Sequence, residues 1–224
     1  MKRLLALACL GIAPFAYAQS NFKAAMAKLD EASAGFKNAQ ADVTNDHYTA
    51  SIHVHDSDHG AIFIERNGST TRMGATIVEA GQTRPARIIN YDGKILQMYT
   101  TGINQDDVLK AGDNQASIDA FLTLGFGATS HDLNAQWNVT DIGPETVNGV
   151  KAEKLNLVSR DPSVAKSITH VLLWLDLTRG VSVRQQFFQS NGDTRTADYS
   201  NIRINQKLKT DAFNIPKGAQ KIAH

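Results

Sequence analysis

The segment Arg87–Tyr99, RIINYDGKILQMY, restricts the fold more than any other part of this chain. It reads as two strands joined by a two-residue Asp92-Gly93 turn, a dipeptide favoured in hairpins because both turn positions need φ > 0. Strand side chains alternate between faces. Ile89 and Tyr91 therefore face one way and Ile88 the other; Ile95 and Tyr99 face one way, Leu96 and Met98 the other. An antiparallel sheet with one wet face alternates apolar and polar residues. Here both faces are apolar, so both need cover: helices on one side, or the wall of an apolar cavity. Either Ile89, Ile95 and Tyr99 or Ile88, Leu96 and Met98 would line that side.

The rest of the chain repeats the β pattern. Val43–His55 is a strand-like run. AIFIER (Ala61–Arg66) and TTRMGATIV (Thr70–Val78) flank Asn67-Gly68, which predicts a second hairpin. Arg84–Tyr91 leads into the hairpin above. Further strands are expected over Trp137–Ile142, Val150–Val158 after Asn148-Gly149, Ile168–Leu175, Val181–Gln189, Thr194–Ile204 and around Phe213–Ile215, about eleven in all. Ahead of them, Phe22, Ala25, Met26, Leu29, Ala32 and Phe36 recur at helical spacing, which predicts an amphipathic helix over 20–38. Residues 102–135 break the β pattern. Asp106–Ala111 suggests a helical turn, Ala116–Leu124 a helix stopped by Gly125-Phe126-Gly127, and His131–Ala135 a further short segment. An insertion of this length suits a lid or packed cover. The expected class is α+β: a curved, mostly antiparallel sheet forming an open half-barrel, covered by the N-terminal helix and the insertion.

The first 18 residues read as a secretory leader, with Lys2 and Arg3, an apolar stretch over Leu4–Ala13, and an Ala16-Tyr17-Ala18 cleavage site. The stretch is too short to span a bilayer. The reading places a single domain over residues 19–224 in the periplasm. The only cysteine, Cys9, lies too early in the apolar stretch for a lipidation site and leaves with the leader, so no disulfide frame or thiol nucleophile remains. Removing Lys2 and Arg3 from 23 basic residues leaves 21 against 22 acidic ones, and no basic stripe argues for nucleic acid.

No motif for enzymatic chemistry emerges. The chain has no G-x-S-x-G, H-E-x-x-H or P-loop pattern. Gly125-Phe126-Gly127 reads as a helix stop rather than a phosphate cradle, and Glu65, Glu79 and Asp176 do not pair at a readable spacing. One cluster could hold zinc or copper: His53 and His55, two apart on one strand, with His59 or Asp58 folding back from the turn and His47, Asp46 and Asp56 nearby. A polar solvent face accounts for the same residues.

Three segments fall in the order seen in one known family: Ala61–Arg66, Ile89–Tyr99 and the tail Phe213-Asn-Ile-Pro-Lys-Gly218. With the run Leu173–Phe187 and the N-terminal helix, the chain resembles LolA-like periplasmic carriers of outer-membrane lipoproteins over most of its length. The resemblance implies an open β-barrel whose apolar cavity holds acyl chains without covalent chemistry or cofactor. It also implies a monomer that receives cargo from an inner-membrane donor and passes it to an outer-membrane acceptor. In that family an arginine ending the second strand contacts the lid, and the matching position here is Arg66; the proline that often follows it is replaced by Asn67. Acyl chains leave water at about 0.8 kcal/mol per CH₂, so a carrier needs a plastic apolar wall. The candidates for that wall are Met73, Ile77, Ile89, Ile95, Met98, Leu122, Phe126, Leu173 and Leu175. Two other readings are a sensor or assembly module of the same fold that binds a protein partner, and a metal-binding or hydrolytic protein built on the histidine cluster.

Overall fold

A computed structural model of the chain describes residues 14–68, 70–112 and 124–224. Helix α1 (Pro14–Ala34) precedes β1 (Asn38–Thr49), β2 (Val54–Asn67), β3 (Thr70–Glu79), β4 (Arg87–Tyr91), β5 (Ile95–Thr100) and β6 (Gln105–Lys110). Helix α2 (Ser130–Gln136) leads directly into β7 (Trp137–Val147) and β8 (Val150–Ser159). A single turn, α3 (Pro162–Ala165), precedes β9 (Ile168–Asp176), β10 (Ser182–Gln189), β11 (Thr194–Ile204) and β12 (Gln220–Ala223). The twelve strands of the described residues form one sheet in the order β12-β6-β5-β4-β3-β2-β1-β11-β10-β9-β8-β7. β12 and β7 do not meet, so the sheet is an open half-barrel of α+β class, with one strand more than expected.

Local chemistry explains most of the turns. Asn67 pairs with Thr70, as the Asn67-Gly68 signal predicts. At Asn148-Gly149 both residues take positive φ (49° and 81°) between the paired Val147 and Val150, which is the pattern of a tight hairpin turn. The Asp92 hairpin closes differently from the sequence expectation. Only Gly93 has positive φ (97°), and the Asp92 carboxylate accepts from the Lys94 and Ile95 amides at 2.9 and 2.8 Å. Its turn thus centres on Gly93-Lys94, with Asp92 serving as a side-chain brace.

That closure decides which side chains share a face, because residues directly opposite in an antiparallel pair point the same way. Ile89 pairs with Met98 and Tyr91 with Leu96, whereas Ile88 pairs with Tyr99. Neither grouping expected from sequence holds: Ile89, Tyr91, Leu96 and Met98 occupy one side, and Ile88, Ile95 and Tyr99 the other. Following the first side across the sheet joins Met73, Ala75 and Ile77 of β3 to Ile62 and Ile64 of β2. It continues through Ala39, Ala41 and Val43 of β1, Ala197 and Tyr199 of β11, and Gln185 and Phe187 of β10. It ends with Val171 and Leu173 of β9 and Leu155 and Leu157 of β8. This is the concave side.

Three further expectations are corrected. Asp106–Ala111 is not a helical turn: Gln105–Lys110 is β6, antiparallel to β5 and parallel to β12. No strand forms at Phe213–Ile215; Asp211–Phe213 is a 3₁₀ turn whose Phe213 packs edge-on to Phe63 (4.9 Å) on the convex side, and the last strand is Gln220–Ala223. Val43–His55 is not one strand, because the chain turns at Ala50–His53 between β1 and β2. The expected helix over Ala116–Leu124 lies almost wholly outside the described residues. The segment around His131 is helix α2, begun by a capping box in which the Thr129 side chain accepts from the Asp132 amide and Asp132 accepts from the Thr129 amide.

Helix α1 lies over one end of the concave side. Its Ala25 and Leu29, with Leu133 of α2, join Trp137, Leu155, Leu157, Val171, Leu173 and Leu175 in a closed core. Asp30 ties the two helices together, accepting from both the amide and hydroxyl of Ser130 at 2.7 Å. Among the described residues no helix is long and apolar enough to cross a membrane.

Candidate functional site

Between β1–β4 on one side and β9–β11 on the other, the concave face is not filled. It encloses a cavity of about 540 Å³, within the roughly 300–1,000 Å³ typical of small-molecule sites. Val43, Ile62, Ile64, Met73, Ala75, Ile77 and Ile89 form one wall, and Ala197, Tyr199, Phe187 and Ile168 the other. Phe126 closes the cavity and meets the Tyr199 ring edge-on at 5.1 Å. Asn45, Ser167, Gln189 and Arg195 make the lining polar towards the β1–β2 and β10–β11 turns.

The segment carrying Phe126 is fastened by polar groups of the sheet and helix. Gln185 donates to the Leu124 carbonyl (2.6 Å) and accepts from the Tyr199 hydroxyl (3.1 Å). The Ser182 amide donates to Gly125 (2.7 Å), and the Ser33 hydroxyl to Gly127 (2.6 Å). Arg66 donates to the same Gly127 carbonyl, and its guanidinium lies 5.7 Å from the Phe36 ring centre. The left-handed backbone at Gly127 (φ 82°) makes this approach possible, since a Cβ there would sit 2.5 Å from the Phe36 ring. Burial holds the Tyr199 phenol protonated far above its usual range, opposed by the positive charge of Arg195. Tyr199 therefore stays a neutral donor to Gln185.

The structure distributes the sequence candidates unevenly. Met73, Ile77, Ile89 and Phe126 line the cavity together. Leu173 and Leu175 share the concave side but are fully buried in the core beneath α1. Met98 shares the face of Ile89 yet lies beyond the cavity, 36% exposed. Ile95 points to the opposite face from Ile89. Leu122 lies outside the described residues. Arg66 contacts residue 127, inside the 102–135 insertion. The sequence reading missed Ile62, Ile64, Ala75, Gln185, Tyr199 and Arg195. The available signal was register: the face of AIFIER that includes Ile62 and Ile64 continues through Ala197 and Tyr199.

The histidine cluster does not converge. His53 sits in the β1–β2 turn with positive φ (53°), bonded to the Tyr48 hydroxyl at 2.9 Å. His55 lies on β2, 3.1 Å from Asp46. His47 is 2.8 Å from Asp58, whose other oxygen accepts from Asn45 at 2.5 Å. His59 is exposed. Among the described residues no three His, Cys, Asp or Glu side chains come together as a metal site would need.

No family model and no curated protein matches the chain. Solved structures do match in fold. An uncharacterized conserved protein from Thermus thermophilus superposes with TM-score 0.57 at 11% identity, covering 91% of this chain and 99% of that one. MucB superposes with TM-score 0.53 at 13% identity, covering 90% of this chain and 65% of MucB. The LolA superfamily protein NE2245 from Nitrosomonas europaea gives TM-score 0.41 at 15% identity, covering 86% and 96%. At these identities the likeness is one of fold alone: over most of its length the chain shares the fold of the Thermus protein and of MucB.

Proposed function

We propose that the chain is a periplasmic carrier that holds acyl chains, of lipoproteins or of another lipid, in the cavity between β1–β4 and β9–β11. The observation that carries this reading is the unfilled cavity itself, on the same concave face whose other end is packed solid. The resemblance in sequence supports it independently. Transfer of an acyl chain into the cavity is driven by about 0.8 kcal/mol per CH₂ and needs no directional contact. A non-enzymatic monomer would load from an inner-membrane donor and unload to an outer-membrane acceptor. Movement of the Leu124–Ala128 segment, with Phe126 at its centre, would open the site.

A fluorescent acyl probe titrated into the full chain tests this reading. Ala75 lies in the wall between Ile62 and Ile89, so Ala75→Phe fills space that the ligand needs. The expected result is probe binding by the natural chain and at least about tenfold weaker binding by Ala75→Phe, the effect of losing a couple of buried CH₂ contacts. Equal binding by a folded Ala75→Phe variant would sink the reading.

A further inference from the structure

The cavity is not uniform, and its polar end contains a cation. Arg195 lines the mouth, where it is exposed. Its register partners on the concave face are Phe187 of β10 and His47 of β1. Five other arginines around the sheet are occupied: Arg66 by Gly127, Arg72 by Glu65, Arg160 by backbone carbonyls, Arg179 by Asp176 and Arg184 by Asp198; Arg84, Arg87 and Arg203 carry no such partner among the described residues but lie outside the cavity lining. Arg195 has no ion pair or hydrogen bond among the described residues. Asp58, a carboxylate at the same end of the concave face, is already held by Asn45 and His47. Beside Arg195, Ser167 and Gln189 bring a hydroxyl and an amide to the lining.

Along β11, Tyr199 lies four residues from Arg195, about 13 Å at strand spacing. Tyr199 marks the Phe126 end, so the lining runs from cation to closed apolar floor. A ligand with an anionic head and an alkyl tail matches this order of chemistry. A neutral lipid would leave the exposed guanidinium to water and gain nothing from it, and a cationic one would be repelled. Guanidinium groups bind carboxylate and phosphate oxygens with two parallel hydrogen bonds, geometry that a plain alcohol lacks.

We infer that Arg195 is the head-group anchor of this cavity, selecting amphiphiles with a carboxylate or phosphate head on an alkyl chain. The inference rests on the carrier reading and narrows its ligand class.

The test compares palmitate, lysophosphatidylglycerol and hexadecanol, each below its micellar concentration, for displacement of the acyl probe from the full chain. The same series is run on Arg195→Gln and Arg195→Lys. The natural chain is expected to bind one or both anionic ligands about tenfold more tightly than the alcohol, in line with a charge-assisted hydrogen-bond pair. Arg195→Gln should erase that preference while leaving hexadecanol affinity unchanged, and Arg195→Lys should restore part of it. The two anionic ligands separate a carboxylate source from a phosphate source. Equal affinity for alcohol and acids in the natural chain overturns the anchor but not the carrier. So does a uniform loss for all three in Arg195→Gln. Absence of binding by any of them, with no probe bound, overturns both.

Discussion

The two ends of the concave face are built from the same kind of strand, yet one is packed solid and the other is hollow. Over β7–β9, Leu155, Leu157, Val171 and Leu173 are fully buried beneath Ala25 and Leu29 of α1. Over β1–β4, Ile62, Met73, Ala75, Ile77 and Ile89 present equally apolar side chains, and the Phe126 segment covers them only in part, leaving about 540 Å³. Strand sequence does not distinguish the two ends. What differs is the cover: a helix tied through Asp30 to α2 at one end, and a glycine-flanked turn held by Arg66, Ser33, Ser182 and Gln185 at the other. Sheet chemistry thus provides the apolar surface, while the connections decide whether it is core or binding site.

The sharpest way to break this comparison is to cut equivalent side chains from each end. Leu155→Ala should destabilise the protein by about 2–5 kcal/mol, because the closed core around it can relax only partially. Ile89→Ala should cost under about 1.5 kcal/mol, since its side chain already borders empty space. Urea denaturation of both variants measures the contrast. Similar losses at the two positions would show that the cavity end is as tightly packed as the core.

A second difference is electrostatic. Glu153, fully buried in β8, has no hydrogen-bond partner for either oxygen within usual geometry among the described residues. Burial first, then the neighbouring Asp141 carboxyl, raises its pKa to about 7. The folded protein therefore holds a proton that the unfolded chain releases near pH 4.5. Stability should fall as pH rises between those values and level off above about 7, a change on the order of 3 kcal/mol for the full shift. Glu153→Gln keeps the shape without the charge and should flatten that slope. Thermal denaturation from about pH 4.5 to 8 reads the effect, and an unchanged slope in the variant would rule out Glu153 as its source.

Much of this architecture was legible in the sequence because it is local. Asn67-Gly68 and Asn148-Gly149 marked hairpins, and the spacing of Ala25, Met26 and Leu29 marked the helix, although Phe36, read as part of the same stripe over 20–38, lies beyond its end at Ala34. Non-local features were hidden. The pairing of Gln105–Lys110 with Gln220–Ala223 joins segments over a hundred residues apart, and the acidic Asp106-Asp107 step masks the strand. Buried Asp106 is served by the Gln97 amide at 2.7 Å, a partnership visible only once β5 and β6 lie side by side. The turn at Ala50–His53 contains no Gly, Pro or Asn, so His53 and His55 read as one strand's face when a bend separates them. Leu173 and Leu175 matched Met73 and Ile77 in type and alternation. The distinction lay in α1, outside the strands themselves.

The smallest expected effect falls on the join between the two ends. Arg66 reaches from the end of β2 to the carbonyl of Gly127, beside Phe126 and the Ser33 hydroxyl of α1. Arg66→Gln removes a charge-assisted bond at a half-buried site, which should cost about 1 kcal/mol globally. Its local consequence should be more specific. With Arg66 gone, the Ser33 hydroxyl alone holds the Gly127 carbonyl, so Phe126 is pinned less firmly on that side than by the ties at Leu124 and Gly125. Amide hydrogen exchange should therefore quicken at 126–128 while residues 155–157 of the closed core keep their protection. Acyl-probe release should quicken in parallel, with little change in equilibrium affinity, because the cavity wall is untouched. Uniform loss of protection across both ends would mean that Arg66 stabilises the whole sheet. Selective loss at 126–128 would identify the short turn, rather than the helix, as the movable cover.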